Sequence, residues 1–363
     1  MNLVVGAGLS GATIANRIAE ELHENVLLID SRDHIGGNAY DYELAGICVH
    51  KYGAHIFNTG SQEVWDYLSR FTKWYPYMHK VIGCIDGMLL PIPFNLNSIA
   101  AAFPAEMAAR LTDKLIAQFG YNTKVPILEL REGGDADLQF LANYVYEKVF
   151  LSYTLKQWGL TPQELDPAVT GRVPVYISRD DRYFQACYQG IPAAGYSKMI
   201  EKMLDNPLIE LKLGTAFDHS FSYERLFFTG AIDSFFNYRF GELPYRSIRL
   251  DLVEYDKEYF QPNSVVNYPC NYDFTRIVEH KYFLDQRTAG TVVSYEYSEA
   301  FARGKNERYY PIIKRENQEL YDKYADEAKK LPNVHFLGRL GDYKYYNMDQ
   351  AVLRALELMK SIK

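Results

Sequence analysis

The hydrophobic pattern of the first thirty residues predicts a strand, a helix and a second strand. Residues 3–5 form a short apolar run of the kind found in buried parallel strands. A helix-forming stretch at 12–18 follows a glycine-rich turn, and the apolar run 25–29 predicts the second strand, which ends in Asp30. This order of elements is typical of a βαβ unit, whose strands lie parallel in one sheet.

Farther along the chain, helical and strand-like spacings alternate. Helical spacing is present at 62–75, 100–109, 111–119, 135–153, 197–204 and 349–362. Strand-like spacing is present at 50–57, 81–93, 209–213, 225–229, 246–300 and 334–340, and Asp86-Gly87 predicts the turn of a hairpin. The apolar runs of the later chain are expected to rejoin the first sheet, which makes that domain discontinuous.

These patterns predict an α/β fold with three regions. The predicted boundaries are 1–77, 190–240 and 310–363 for a discontinuous, Rossmann-like domain built on the βαβ unit, 78–160 for a mainly helical insertion, and 161–189 with 241–309 for an antiparallel β-sheet domain.

A glycine motif joins the first predicted strand to the first helix. Gly6, Gly8 and Gly11 form a G-x-G-x-x-G turn, which allows a tight turn, close approach of a pyrophosphate and close packing of helix on strand. Asp30 follows at the distance where a carboxylate can bind a ribose hydroxyl. Gly36 and Gly37 form a second glycine pair beyond the second strand. This pair resembles the second dinucleotide-contact region of FAD proteins, which favours FAD over a nicotinamide cofactor. A glycine turn in an unrelated βαβ unit is the alternative interpretation.

Two further segments are candidates for ligand contact. Residues 50–57 hold two histidines, a lysine and a glycine around a predicted short strand, and their clustering favours contact with the cofactor over a purely structural role. The loop 160–170 follows a helix and precedes a strand, which is a suitable place for a lid. Trp158 before this loop is either a ligand contact or a hydrophobic plug.

Composition and charge narrow the possible partners. The 363 residues carry a formal net charge of −7, which disfavours nucleic acid or an anionic membrane as a partner. An anionic ligand must therefore be held by a few local arginines. The 31 tyrosines suit pockets for sugars, bases and phosphates, although a Tyr-rich core accounts for most of them.

The cysteines and the apolar runs indicate the compartment. The 4 cysteines are scattered without the spacing of a metal site, so no metal is predicted and reduced thiols of a cytoplasmic protein are expected. No apolar run reaches the length of a transmembrane helix, so membrane insertion is not expected.

Sequence blocks in a fixed order along the whole chain resemble the UDP-galactopyranose mutase family. They are GAGLSG, HIGGNAY, HKYGAHIF, YTLKQWG, YQGIPAAGY, TRIVEHK, YYP and GRLGDYKYYNM. Several blocks in order are a more specific signal than one glycine motif. The resemblance implies bound FAD, active when reduced, and interconversion of a nucleotide sugar between its pyranose and furanose rings without net redox change.

The resemblance also implies a mechanism and a substrate. Flavin N5 attacks the anomeric carbon and expels the nucleoside diphosphate, the sugar ring opens and recloses through its 4-hydroxyl, and the diphosphate returns. UDP-galactopyranose is the expected substrate, dTDP-fucopyranose is the alternative, and a homodimer is expected. A flavin oxidoreductase of the amine oxidase type and a flavin-binding protein without catalysis are the alternative functions.

The site residues follow from the motifs and from matching family positions. Those assigned to catalysis are Arg172, Arg276 and His55, and the two arginines are expected to bind the diphosphate. Those assigned to FAD are Gly6, Gly8, Ser10, Gly11, Asp30, Arg32, Gly37, Asn38, His55, Ile56, Arg339, Tyr346 and Met348. Those assigned to the substrate are His79, Tyr153, Thr154, Trp158, Arg172, Tyr183, Asn267, Arg276, Tyr310, Tyr345 and Asn347.

Three positions depart from the family pattern. Asn58 stands where histidine is usual, and His79 stands where many relatives have asparagine. Asn347 replaces the aspartate of a Y-Y-D-M motif, which removes a charge and changes the available hydrogen-bond donors beside the sugar site. This last departure is interpreted either as a changed sugar, such as a 6-deoxygalactose on UDP or dTDP, or as neutral drift.

Overall fold

The computed structural model describes residues 1–164 and 174–362. The chain divides into two compact units: the first comprises Met1–Tyr77, Ala186–Ser247 and Phe301–Lys363, and the second comprises Met78–Gln185 and Ile248–Ala300. The first unit is therefore discontinuous along the sequence. The separation of the remaining chain into a helical domain and a sheet domain stays a prediction.

The strands in the described parts of the chain are β1 (Asn2–Val5), β2 (Val26–Ile29), β3 (Asp41–Leu44), β4 (Ile47–His50), β5 (Phe57–Thr59), β6 (Trp74–Tyr75), β7 (Val81–Ile85), β8 (Met88–Ile92), β9 (Thr123–Val125), β10 (Val175–Ile177), β11 (Tyr188–Pro192), β12 (Ile209–Lys212), β13 (Arg225–Phe228), β14 (Tyr245–Tyr255), β15 (Val265–Asn267), β16 (Arg276–Glu279), β17 (Thr291–Ala300), β18 (Tyr310–Pro311) and β19 (Val334–Phe336).

The α-helices in the same parts are α1 (Leu9–Arg17), α2 (Gln62–Ser69), α3 (Leu96–Ala102), α4 (Ala105–Phe119), α5 (Ile127–Arg131), α6 (Ala136–Val145), α7 (Ser152–Trp158), α8 (Tyr196–Leu204), α9 (Ile232–Phe235), α10 (Arg315–Ala328), α11 (Gly338–Gly341) and α12 (Met348–Ile362). π-Helical turns occur at Ile18–Leu22 and Tyr146–Leu151.

A parallel sheet forms the centre of the first unit. Its strands follow in the order β12, β2, β1, β13 and β19, and all of the pairs are parallel. Every residue of β2 is buried, which explains why this strand is a continuous apolar run rather than an alternating one. Helix α1 packs against β1, α8 and α12. The predicted return of the later chain to the first sheet is confirmed.

The helical spacing of residues 62–75 is only partly realised. Helix α2 ends at Ser69, and Trp74 instead begins β6, which pairs with β11. The ring of Trp74 stacks on that of Trp65, with 4.5 Å between their centres. Packing between these aromatic rings therefore decides the conformation of this segment over its local helix propensity.

Two segments of the first unit with strand-like spacing, 50–57 and 334–340, are strands over only part of their length. Residues 50–57 form mainly the loop between β4 and β5. The closing strand ends at Phe336 rather than at 340, because Gly338 adopts a φ of 82° and begins the short helix α11.

A second sheet lies in the second unit, with its strands in the order β14, β17, β16, β15, β7 and β8. The hairpin predicted at Asp86-Gly87 is confirmed, since Ile85 pairs with Met88. Strand β15 is antiparallel to β16 but parallel to β7. The predicted antiparallel sheet is thus present, with one parallel pair inside it.

Helices α3 to α7 form much of the rest of the second unit. Asn95 and Ser98 make a capping box at the start of α3, and Asp135 caps α6 by accepting hydrogen bonds from two backbone N–H groups. The predicted helix over 135–153 is confirmed and continues to Trp158. Within the described residues, no helix combines the length and the apolar character needed to cross a membrane.

Candidate functional site

The turn between β1 and α1 leaves little room for side chains. Gly6 adopts a φ of 100°, and its N–H donates to Ile29 O at 2.8 Å. A Cβ on Gly11 would overlap the Gly6 carbonyl oxygen, and a Cβ on Gly6 would overlap the Thr229 hydroxyl. Both glycines are therefore required by the close approach of strand, turn and helix. The first N–H groups of α1, which no carbonyl of the helix can accept, suit an anion here.

The second glycine turn packs directly against the first. Gly8 and Gly36 form a parallel bridge, and the Gly36 N–H donates to Ala7 O at 2.8 Å. A Cβ on Gly37 would lie 3.0 Å from the Cα of Gly8. The two glycine segments of the sequence therefore meet as backbone on backbone.

Asp30 connects the two turns through its carboxylate. It is 8% exposed and accepts hydrogen bonds from the N–H groups of Ala7 at 2.7 Å and Arg32 at 2.9 Å. Both terminal nitrogens of Arg32 donate to Asn38 Oδ1 at 3.1 Å, and the guanidinium lies 4.4 Å from the centre of the Tyr52 ring. A carboxylate and a guanidinium are thereby held in fixed places beside the glycine turns.

A cavity of about 580 Å³ lies along these turns within the first unit. This volume is in the range of cofactor pockets. All of the residues assigned to FAD line the cavity except Ile56. Asn347, which the sequence assigns to the substrate, lines it as well.

Sequence reasoning missed part of the cavity wall. Residues 215–219 follow β12, Thr229 follows β13, and Glu307 and Arg308 precede β18. Residues 215–219 and Thr229 lie at the carboxyl ends of parallel strands. Ligands of such sheets bind at these ends, so the sequence could have indicated these residues. Glu307 forms an ion pair with Arg32 at 3.1 Å, and no local pattern indicates a contact between residues so far apart in the chain.

His55 lies in the loop between β4 and β5. Its N–H donates to His50 Nδ1 at 3.1 Å, its carbonyl accepts from the Tyr196 hydroxyl at 3.0 Å, and its own Nδ1 lies 2.8 Å from Gly53 O. Burial lowers the pKa of His50 to about 3, which keeps that ring neutral and able to accept the bond. The backbone of His55 is thus held by His50 and Tyr196, and His55 itself lines the cavity.

Arg339 on α11 lies at another part of the cavity wall. It donates to Tyr309 O at 3.2 Å and to Tyr346 O at 2.6 Å. Its guanidinium lies 5.4 and 5.3 Å from the ring centres of Tyr310 and Tyr345, which stack on each other at 5.1 Å. The first unit therefore brings two tyrosines assigned to the substrate next to an arginine assigned to FAD.

Helix α12 begins beside this cluster. Asn347 precedes Met348, the first residue of the helix; its carbonyl accepts from the Ala351 N–H at 3.0 Å, and its own N–H donates to Gln350 Oε1 at 2.9 Å. Asn347 is therefore at the N-cap position, and Gln350 supplies one half of a capping box. Ser10 Oγ donates to Ala351 O at 3.3 Å and so links α1 to α12.

In the second unit, Asn267 and Arg276 are paired across β15 and β16. The Nε and Nη2 of Arg276 donate to Glu296 Oε2 at 2.8 and 2.7 Å. The side chain of Glu296 is 4% exposed and that of Arg276 is 23% exposed. Asn267 Oδ1 is buried and accepts no hydrogen bond from residues 1–164 or 174–362. A cation beside an open amide acceptor suits a phosphate that carries a hydroxylated sugar.

His79 and Tyr183 also meet in the second unit. The Tyr183 N–H donates to His79 O at 2.8 Å, and the two rings lie 5.7 Å apart. Burial, reinforced by the positive charge of Arg276, lowers the pKa of His79 to about 3. The His79 ring is therefore neutral near pH 7 and acts there as a hydrogen-bonding group without charge.

Helix α7 carries three residues assigned to the substrate: Tyr153, Thr154 and Trp158. The latter two are buried, and Tyr153 is half-buried. Lys156 Nζ donates to Tyr268 O at 2.8 Å, and Ser298 Oγ donates to Gln157 O at 2.6 Å. Because Tyr268 directly follows Asn267, these bonds place α7 beside the Asn267–Arg276 pair.

Arg172 and most of the predicted lid lie outside the described residues. The lid prediction covers 160–170, of which Pro162–Glu164 form a 3₁₀ turn. The proposed diphosphate contact of Arg172 thus rests on the sequence.

One group of side chains in the described chain has the composition of a metal site. Asp41, Cys48 and His50 offer ligand atoms within 4.8 Å of one another. Both carboxylate oxygens of Asp41 accept hydrogen bonds from the N–H groups of Tyr196 at 2.5 Å and Ser197 at 2.9 Å, at the start of α8. Burial raises the pKa of Cys48 to about 12, so its thiol stays protonated. This group is accounted for as a helix cap with buried neighbours.

Comparison with known proteins identifies the family. The model of the UDP-galactopyranose mutase family matches residues 148–345, and that of an NAD(P)-binding Rossmann-like domain matches 4–71. A probable UDP-galactopyranose mutase of Klebsiella pneumoniae is 37% identical over 98% of this chain and 92% of its own length. A dTDP-fucopyranose mutase of Escherichia coli is 35% identical over 98% of this chain and 96% of its own length.

A crystal structure of reduced UDP-galactopyranose mutase shares the fold. Its TM-score is 0.75 at 15% identity, and the match covers 99% of this chain and 95% of that chain. The predicted α/β class with a Rossmann-like domain is thereby confirmed. The chain belongs to the UDP-galactopyranose mutase family and is an isomerase, a mutase of sugar-nucleotide pyranoses.

Proposed function

We propose that the protein interconverts UDP-galactopyranose and UDP-galactofuranose, with FAD in its reduced form as cofactor. The observation that carries the nucleotide-sugar part is the pairing of Arg276 with Asn267. The arginine supplies positive charge for a diphosphate, and the buried Asn267 Oδ1, which accepts no bond within the described residues, supplies an acceptor for a sugar hydroxyl.

The residues of the first unit fit a flavin dinucleotide. The cavity has the glycine turn and the N-terminus of α1 for a pyrophosphate, and the buried Asp30 for a ribose. Gly8 leaves space for a ligand, because the position of its missing side chain is open. A Cβ built there would have the Cα of Gly37, at 3.6 Å, as its nearest protein atom. Arg339 adds positive charge to the wall, whereas the charge of Arg32 is offset by its ion pair with Glu307. FAD rather than another dinucleotide is our proposal from the second glycine turn and the family resemblance.

When bound, reduced FAD would supply a nucleophilic nitrogen for the anomeric carbon of the sugar. The chain itself must then stabilise the departing diphosphate, which gains negative charge as its bond to the sugar breaks. We assign this task to Arg276 together with Arg172, since guanidinium groups bind phosphate oxygens in pairs. Asn267 and the neutral His79 hold sugar hydroxyls and so orient the ring.

The Tyr310–Tyr345 stack gives the substrate an aromatic surface next to Arg339. Tyr153, Thr154, Trp158 and Tyr183 are proposed as further contacts to the nucleotide. His55, anchored by its backbone beside the cavity, is proposed to adjust its loop to the redox state of the flavin.

A dTDP-fucopyranose mutase is the second candidate function. The E. coli relative with that name is as similar to this chain as the UDP-galactopyranose mutase relatives are. Asn347, an amide where the family has a carboxylate, is the observation that favours it.

One assay separates these functions. Purified protein would be incubated with UDP-galactofuranose or dTDP-fucofuranose, after dithionite reduction or without it, and the products would be separated by chromatography. We expect yellow protein as isolated, conversion only after reduction, and no stoichiometric use of reductant. Equal rates with oxidised and reduced protein would contradict the flavin mechanism. Net oxidation of a substrate would favour a flavin oxidoreductase, and bound flavin without any turnover would favour a binding protein.

A further inference from the structure

Helix α6, the π-helical turn at Tyr146–Leu151 and helix α7 form one continuous helix of the second unit. A buried residue occurs at every fourth position along it: Leu138, Ala142, Tyr146, Phe150, Thr154 and Trp158. In an α-helix, residues four apart are displaced by about 40° around the axis, so the drift from first to last would be about 200°. An α-helix throughout would therefore turn Trp158 to the side opposite Leu138.

The π-helical turn compensates for about half of this drift. One additional residue in a wider turn sets all following side chains back by about 100° around the axis. Thr154 and Trp158 then lie about 60° and about 100° around the axis from Leu138, instead of about 160° and about 200°. Both are within about 60° of the buried Ala142, which agrees with their exposures of 7% and 8%. The extra residue is thus visible in the burial pattern as well as in the backbone.

The same rotation decides which residues of α7 contact the sheet. Lys156 donates to Tyr268 O, and Gln157 O accepts from Ser298. The turn is itself attached to the segment after β15, because the Cys270 thiol lies 3.6 Å from Lys148 O. Without the additional residue, α7 would be rotated by about 100°, and residues adjacent in sequence to Lys156 and Gln157 would face the sheet instead.

We infer that the π-helical turn at Tyr146–Leu151 is a positioning element, which sets the rotation of α7 so that Thr154 and Trp158 are presented to the nucleotide. This inference rests on the proposed function, in which those two residues contact the substrate. π-Helical turns recur at functional sites because they change which side chains share a face at the expense of one backbone hydrogen bond.

The test shortens the turn by one residue. Glu147 is exposed, so its deletion would convert the turn into α-helix while removing no buried side chain. Isothermal titration of the FAD-loaded protein with UDP and with dTDP would measure nucleotide affinity. We expect the deletion to weaken binding at least tenfold and to leave the flavin spectrum unchanged.

Three matched variants separate rotation from other effects. Glu147→Ala removes the same side chain but keeps the turn, and deletion of Gly134 removes one residue from an exposed loop where a Cβ would contact nothing within 4 Å. Both should bind within twofold of the original protein. Insertion of an alanine after Leu151 into the Glu147-deleted chain restores the length of the segment and should restore affinity.

Unchanged affinity in the Glu147-deleted protein would overturn the inference. Loss of its cooperative unfolding transition would overturn it too, because the turn would then serve folding rather than positioning. If the unaltered protein bound neither UDP nor dTDP, the proposed function would fail, which is a different result from either of these.

Discussion

Glu296 Oε2 accepts two hydrogen bonds from the guanidinium of Arg276, one from Nε at 2.8 Å and one from Nη2 at 2.7 Å. The two residues are direct partners in the register of β16 and β17. The side chain of Glu296 is 4% exposed, so its carboxylate has lost most of its hydration and depends on the arginine for compensation. The carboxylate in turn fixes the plane of the guanidinium proposed to bind the diphosphate.

Arg276→Ala should lower kcat/KM by two to three decades, because a charge contact to the departing diphosphate is worth about 3–4 kcal/mol in the transition state. It should also lower the thermal unfolding temperature, since Glu296 would be left buried without its cation. Glu296→Gln keeps the shape of the side chain and should lower kcat/KM by only about tenfold, through looser positioning of the arginine. Kinetics of the reduced enzyme and thermal unfolding would measure both effects.

Flavin content is the control for these two variants, since both should retain it. Near-normal rates of both variants on UDP- and dTDP-sugars would mean that the ion pair only joins two strands. The diphosphate site would then have to be sought elsewhere in the chain.

Gly11→Ala should weaken dinucleotide binding and lower the unfolding temperature. The added Cβ would overlap the Gly6 carbonyl oxygen, and backbone atoms can give way only if the whole turn shifts. Overpacking of this kind costs about 1–3 kcal/mol. Gly60→Ala is the matched control, because a Cβ there has no atom within 4 Å. Flavin-to-protein ratio and thermal unfolding of the two variants would be compared, and equal values would show that the turn tolerates a side chain.

The sequence was most informative where a constraint is local. Gly6 and Gly11 are required by atoms within the same turn, and the hairpin at Asp86-Gly87 needs only its two turn residues. The end of α2 could not be predicted, because Trp74 leaves helical spacing in order to stack on Trp65. Contacts of this kind form only when the whole fold brings the two segments together, so local sequence propensity does not predict them.

The candidate site follows the same division. Its motif residues were predictable, whereas the partner of Arg276 was not, since pairing with Glu296 depends on the register of two strands 20 residues apart in sequence. The π-helical turn left no recognisable signal in the sequence either. Apolar residues spaced four apart, as at 138, 142, 146 and 150, are also compatible with an ordinary α-helix. Arg172 and the cytoplasmic location stay predictions.

Acid should destabilise the protein partly through its buried histidines. Burial lowers the pKa of both His50 and His79 to about 3. A histidine whose pKa is depressed on folding contributes full stability above its unfolded pKa of about 6.5, and that stability is lost as the pH falls toward about 3. Each would then cost about 2 kcal/mol between pH 7 and pH 5.

His79→Asn should therefore reduce the loss of unfolding free energy between pH 7 and pH 5 by about 2 kcal/mol relative to the original protein. Urea unfolding at the two pH values measures this difference directly. Parallel pH dependences of the two proteins would show that His79 gains solvent or a partner when it becomes protonated.

Asn347→Asp addresses the choice of sugar. Asn347 lies at the N-cap of α12 and lines the cavity of the first unit, so the substitution acts on two features at once. As a cap, aspartate is as good as asparagine and interacts favourably with the helix dipole, so the unfolding temperature should not fall. Beside a sugar, the carboxylate accepts hydrogen bonds but cannot donate one, and mispairing a single buried polar contact costs about 1–3 kcal/mol.

The expected result is a change of about tenfold or more in the ratio of turnover on UDP-galactofuranose to turnover on dTDP-fucofuranose, with flavin content unchanged. Asn347→Ala is the informative companion, because it removes the amide but keeps the backbone N–H that donates to Gln350 Oε1, so the turnover ratio should change while the unfolding temperature falls little. An active Asn347→Asp enzyme with an unaltered ratio would mean that the side chain at position 347 does not select the sugar, and that the sugar is selected by other residues such as Asn267 or His79.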